Sequence, residues 1–180
     1  MDHDNYSEDY LRDILSSVKR IALVGASDNP VRPSYFVLKY LLEKGYDVVP
    51  VNPGKAGQEI LGRTVHASLG DIAGPVDMVD IFRNSDAAGT IVDEALALEP
   101  KPKVVWMQLS VRNDEAAARA EDAGLKVVMN RCPKMEYAKL CGEWGWVGAN
   151  SGRISNKRGT LSGRRVQSLA IAARREKPAE

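Results

Sequence analysis

With 180 residues, 44% of them hydrophobic, the chain is long enough for one α/β domain with a real core and too short for two. Its 25 basic and 24 acidic residues nearly cancel, which excludes the clustered basic excess of a general nucleic-acid surface and leaves any anion binding local. The acidic, polar start Met1-Asp-His-Asp-Asn-Tyr-Ser-Glu lacks the parts of a signal peptide, and no apolar run reaches the ~20 residues that span a bilayer, so a cytoplasmic protein with no membrane partner is expected.

The first predicted element is a helix from Ser7 to Ser17, expected to pack on a sheet edge. A buried-strand run, Ile21 to Val24, then breaks at Gly25, crosses the polar turn Ala26-Ser27-Asp28-Asn29-Pro30 and enters a helix from Ser34 to Lys44 that Gly45 closes. Val48 to Val51 is the next strand, and Thr64 to Leu69 is a candidate for a short extra one. Val76 to Phe82 follows, then a helix from Ser85 to Leu98 stopped by Glu99-Pro100, a strand from Val104 to Met107, a helix from Asn113 to Ala123 stopped by Gly124, and a fifth strand from Lys126 to Met129. From Gly142 the pattern dissolves into Gly, Asn, Ser and Arg. Residues 1–141 are therefore read as the domain and 142–180 as a partly flexible extension, because charged, apolar-poor ends rarely bury enough surface to order themselves.

Apolar strand runs alternating with helical patterns argue for an α/β fold: a doubly wound, mostly parallel sheet covered on both faces, giving three layers. In such sheets ligands bind beyond the carboxyl ends of the strands, where strand order reverses, so the residues after each strand form the candidate site.

The first of these is the turn Gly25-Ala26-Ser27. Amides at a helix start lack partners within the helix and carry the positive end of its dipole, which suits a phosphate. Gly25 admits oxygens close to the backbone, Ser27 adds a hydroxyl and Arg32 a charged fork. The same glycine also serves any tight strand-to-helix turn, so the turn alone leaves both readings open. After the second strand stands Asn52-Pro53-Gly54-Lys55, where an NAD site would carry a carboxylate for the adenosine ribose. Lys55 instead suits a phosphate on that ribose. Phe82 and Arg83 close the next strand, the ring able to cover an apolar arm and the guanidinium able to bind a phosphate. Gln108-Leu-Ser110-Val-Arg112 and Asn130-Arg131-Cys132-Pro133 open on the same side. Cys132 has no histidine near it and is read as buried and inert, and Cys141, His3 and His66 show no metal-ligand spacing.

In order and spacing, Val24-Gly25-Ala26-Ser27 with Arg32-Pro33-Ser34, Val49-Pro50-Val51-Asn52-Pro53, Asp80-Ile81-Phe82-Arg83, Val105-Trp106-Met107-Gln108-Leu109 and Val128-Met129-Asn130-Arg131-Cys132 resemble the small bacterial CoA-binding proteins. Their single Rossmann-like domain is similar to the N-terminal domain of the succinyl-CoA synthetase alpha subunit, and the resemblance runs from Ser7 to Leu140. It implies coenzyme A or an acyl-CoA along the strand ends. The phosphates would lie by Gly25, Ala26, Ser27, Asn29, Arg32 and Pro33, the 3′-phosphate end by Asn52, Pro53 and Lys55, and the central part by Phe82 and Arg83. Ser110 stands where the family often has glycine, and Pro133 where a bulkier residue is common. The phosphohistidine domain of the synthetases has no counterpart here, so binding without catalysis is expected, with a protein partner or homo-oligomer left open. The alternative is an NADP-type dinucleotide-binding redox sensor or oxidoreductase, with Lys55 on the 2′-phosphate.

Overall fold

The computed structural model describes residues 1–142, so the predicted extension, from its second residue on, lies outside the described residues. Five parallel strands form one sheet: β1 (Arg20–Val24), β2 (Asp47–Val51), β5 (Met78–Ile81), β6 (Val104–Met107) and β7 (Lys126–Val128), in the spatial order β2-β1-β5-β6-β7. A two-stranded antiparallel ribbon, β3 (Glu59–Ile60) with β4 (Arg63–Thr64), follows β2. The helices are α1 (Glu8–Ser17), α2 (Pro33–Glu43), α3 (Ser85–Leu96), α4 (Asp114–Asp122) and α5 (Pro133–Leu140).

Side chains alternate across each strand and feed two separate cores, as a sheet buried on both faces requires. Ile21 and Leu23 of β1 and Val104 and Trp106 of β6 face α1, α2 and α5. Ala22, Val24, Val105 and Met107 face α3 and α4. The architecture is thus the expected three-layer, Rossmann-like α/β sandwich. Among the described residues no helix is long and apolar enough to cross a membrane.

The helix starts are capped as their sequences demand. Ser7 accepts the amide of Tyr10, Asn84 that of Ala87 and Asn113 that of Ala116, each satisfying an amide that the helix itself leaves bare. Two elements depart from the sequence reading. The leading helix does more than lie along an edge: Leu11, Ile14 and Leu15 enter the core beneath α5, while the Tyr10 hydroxyl donates to the Val127 carbonyl of the edge strand at 3.2 Å and Asp13 pairs with Lys126 of the same strand. The expected strand over residues 64–69 is a hairpin arm that ends at Thr64, followed by one parallel bridge between His66 and Val51.

The chain leaves β1 for β2 on one side and returns to β5 on the other, so β1 is the strand at which the order reverses. Gly25, its first residue beyond the sheet, sits at φ +94°, and a Cβ there would lie 3.2 Å from the Phe82 Cβ and 3.3 Å from the Arg83 Cδ. The glycine is therefore demanded by the backbone and by the close approach of the β5 exit, before any ligand is considered. Ser110, at the position where glycine was noted as usual, holds φ +66°, the left-handed region that explains that preference.

One carboxyl lies inside the sheet. Asp80 of β5 is fully buried among the α2-facing side chains, and among the described residues its hydrogen-bond partner is the Gln108 carboxamide, whose Nε2 donates to its two oxygens at 3.0 and 3.1 Å. Burial pushes the Asp80 carboxyl up to about 8, with the Gln108 donor opposing the rise. A carboxyl raised on folding stabilises the fold below its unfolded value near 4, and that contribution is lost as the pH climbs toward 8. Asp80→Asn removes the cost of ionisation: urea midpoints at pH 5, 7 and 9 should move in the variant's favour with rising pH, and parallel profiles would contradict this. Gly25→Ala should lower stability by about 1–3 kcal/mol, read by the same unfolding assay, since alanine can neither hold that φ without strain nor fit against Phe82.

Candidate functional site

Beyond the carboxyl ends of β1, β5 and β6 opens a crevice of about 590 Å³, within the range of small-molecule sites. Its walls are the Gly25-Ala26-Ser27 turn, the start of α2 (Arg32, Pro33, Ser34, Val37), Asn52, the β5 exit (Phe82, Arg83), the β6 exit (Gln108, Leu109, Val111) and Cys132. A smaller one of about 320 Å³ shares Gly25, Asn52 and Arg83 with it and extends toward α3, past Pro53, Ser68, Thr90 and Glu94. The two compartments therefore lie on either side of the glycine turn.

Hydrogen bonds show which groups are already committed. The Gly25 and Ala26 amides both donate to the Val51 carbonyl, at 2.9 and 3.2 Å. The Asn52 Nδ2 donates to the Ala26 carbonyl at 2.7 Å while its Oδ1 accepts the Gly54 amide, so this side chain ties the first loop to the second. Ser27 Oγ accepts the Asn29 amide, and the Asn29 Oδ1 in turn accepts that of Val31. Asn29 braces the loop and lines neither compartment.

The uncommitted groups gather at the start of α2. Arg32 occupies the cap position and offers no side-chain acceptor, and Pro33 follows with no amide hydrogen to give. The Arg32 carbonyl takes the Tyr35 and Phe36 amides. Ser34 is left with its hydroxyl facing the crevice, only 5% exposed and with no hydrogen-bond partner among the described residues. The guanidinium groups of Arg32 and Arg83 also line the crevice, and neither has an acidic or hydrogen-bonding partner among the described residues. Unpaired cations, a free hydroxyl and a helix start make this wall electropositive.

Lys55 is placed differently from its two cationic companions. Its ammonium pairs with Asp28 at 2.8 Å, bridging the first and second loops, and it lines neither compartment. That contact holds the Asp28 carboxyl below the usual carboxylate range. Among the expected site residues, then, Gly25, Ala26, Ser27, Arg32, Pro33, Asn52, Phe82 and Arg83 meet at one crevice, Pro53 joins the adjoining one, and Asn29 and Lys55 stand outside both.

Two further wall residues come from strand exits, Gln108 noted only as such and Cys132 read as buried and inert. Gln108 is 5% exposed and anchored on Asp80. Cys132 caps α5, and burial, with a smaller push from Asp80, raises its thiol to about 11 against the lowering effect of the Met135 and Lys134 amides. It stays protonated at neutral pH, which fits the inert reading. Ser34, read as the first helical residue, gave no sequence signal of its burial in the wall. His66 sits in the bridge beside β2 and lines neither compartment.

A family model described as a CoA binding domain matches residues 19–138. The uncharacterized protein YneT of Bacillus subtilis (strain 168) is 38% identical over 134 residues, 74% of this chain and 96% of that protein. Among solved structures, a hypothetical protein from Pyrococcus horikoshii OT3 is 42% identical with a TM-score of 0.72, covering 77% of this chain and 95% of its own. A second, from Thermus thermophilus, is 40% identical with a TM-score of 0.70 over 74% of this chain and 98% of its own. The matched span takes in every strand of the sheet and every strand-end motif that carried the resemblance, and the chain belongs to the CoA-binding domain family.

Proposed function

We propose that this protein binds coenzyme A or an acyl-CoA in the two joined compartments and performs no chemistry on it. The observation that carries the reading is the pair of guanidinium groups, Arg32 and Arg83, unpartnered among the described residues, on one crevice wall beside the glycine turn. A phosphate there would meet both, with the Ser27 and Ser34 hydroxyls alongside, and charge-assisted contacts of this kind are the strong ones. The pyrophosphate would cross Gly25, the nucleoside end would enter the compartment toward α3, and the arm would follow the larger crevice past Phe82.

Asn52 favours this ligand over an ordinary dinucleotide. It stands where a ribose-binding carboxylate would be needed, and both ends of its carboxamide are spent on Ala26 and Gly54. For the 3′-phosphate we assign Lys55, which would exchange Asp28 for the stronger anion. The absence of turnover is supported by the Cys132 thiol, which burial keeps protonated. A bound thioester would meet no thiolate from it.

Titration calorimetry with CoA, dephospho-CoA and NAD tests the assignment. CoA should bind, dephospho-CoA about tenfold or more weakly for want of a contact worth ~1.5–3 kcal/mol, and NAD more weakly still; NAD or NADPH binding as tight as CoA would overturn it. Arg32→Gln and Arg83→Gln should each weaken CoA by about tenfold and flatten the salt dependence of binding, because each removes one charged contact to phosphate.

A further inference from the structure

The crevice wall is cationic near Gly25, but its floor holds a neutral group whose orientation is fixed from beneath. Gln108 leaves β6 on the face shared with Asp80, and its amide hydrogen donates to the Ile81 carbonyl at 3.2 Å, which sets its backbone beside the β5 exit. Its side chain is 5% exposed and lines the crevice, and its Nε2 lies 3.0 and 3.1 Å from the two Asp80 oxygens. In this geometry both Asp80 oxygens accept from that NH2 group. Held by its nitrogen end, the carboxamide turns its carbonyl oxygen away from Asp80, and among the described residues that oxygen has no hydrogen-bond partner.

A free acceptor is conspicuous here because the uncommitted groups on the rest of the polar wall can all donate, two guanidinium groups and two hydroxyls, while the Asn52 carboxamide is spent on Ala26 and Gly54. Phosphates have no use for an acceptor. An amide hydrogen does. Asp80 itself is costly to bury, and among the described residues its hydrogen bonds all go to Gln108, so the pair reads as one device: a buried anchor and a presented carbonyl.

We infer that Gln108, held by Asp80, is a specificity-determining residue whose Oε1 accepts a hydrogen bond from an amide N–H in the ligand's arm, so that the crevice selects an amide-bearing chain over the nucleotide alone. The inference rests on the CoA reading of the crevice and assigns the arm, as distinct from the phosphates, to a residue of this chain. Asp80 acts only through Gln108 and is a positioning residue.

The test is calorimetry with two probes, CoA and adenosine 3′-phosphate 5′-diphosphate, which carries the same phosphates and no arm. Gln108→Met should weaken CoA about tenfold and leave the armless nucleotide within about twofold. Because that change strands Asp80, the double variant Asp80→Leu with Gln108→Met removes both polar groups together, a substitution the fold tolerates better, and should show the same selective loss. Asp80→Asn still offers a carbonyl oxygen to Nε2 and should keep CoA binding within about threefold. Unchanged CoA affinity in both Gln108 variants, or equal losses for the two probes, would overturn the inference while leaving the proposed function intact. A wild-type protein that binds neither probe would overturn both.

Discussion

Two amides, those of Gly25 and Ala26, converge on one carbonyl, that of Val51, and the functional edge of the molecule depends on this junction. It fastens the exit of the first strand to the end of its neighbour just where the sheet changes direction, and it holds Gly25 in a conformation that only glycine adopts without strain. Asn52 adds a second tie from the next residue, back to Ala26, and the Lys55–Asp28 pair a third at the rim. Two loops from different strands thus form one wall. The junction also decides which groups stay available: the amides of the glycine turn are spent on the fold, and among the described residues the start of α2 and the arginines beside it carry the unpaired positive charge.

Strands and their order of alternation with helices were legible because each main strand is a short apolar run bounded by turn residues, and a sheet buried on both faces leaves no polar alternation to confuse the reading. Helix ends were legible to within a residue or two where Ser7, Asn84 and Asn113 cap or where Gly45 and Gly124 stop them. The hairpin after β2 was not, since two-residue strands carry no period. At the crevice, Gly25, Arg32, Asn52 and Arg83 could be named because each follows directly on a strand or opens a helix. Pairing could not be named: nothing local says that Lys55 takes Asp28, or that Gln108 reaches across to Asp80, because each contact joins residues more than a helix apart in sequence. Sequence reading therefore found the wall and missed which of its groups are spent.

The charge arrangement of the two ends of the sheet differs for the same reason. At the amino ends of the strands Asp47 pairs with Arg20 at 3.1 Å and Arg63 at 2.8 Å, and Asp77 takes Lys103 at 2.8 Å together with the amides of Lys19 and Arg20. Each such exposed pair contributes little to stability, yet together they cancel the local field. At the carboxyl ends Arg32 and Arg83 line one crevice with no acidic partner among the described residues, so two like charges face one space. Their repulsion is an unfavourable term that an anion between them would convert into attraction, and the phosphate binding proposed above would have this electrostatic origin. A carboxylate on this wall would relieve that repulsion and weaken the proposed binding together, and the one in the first loop, Asp28, is paired with Lys55 instead.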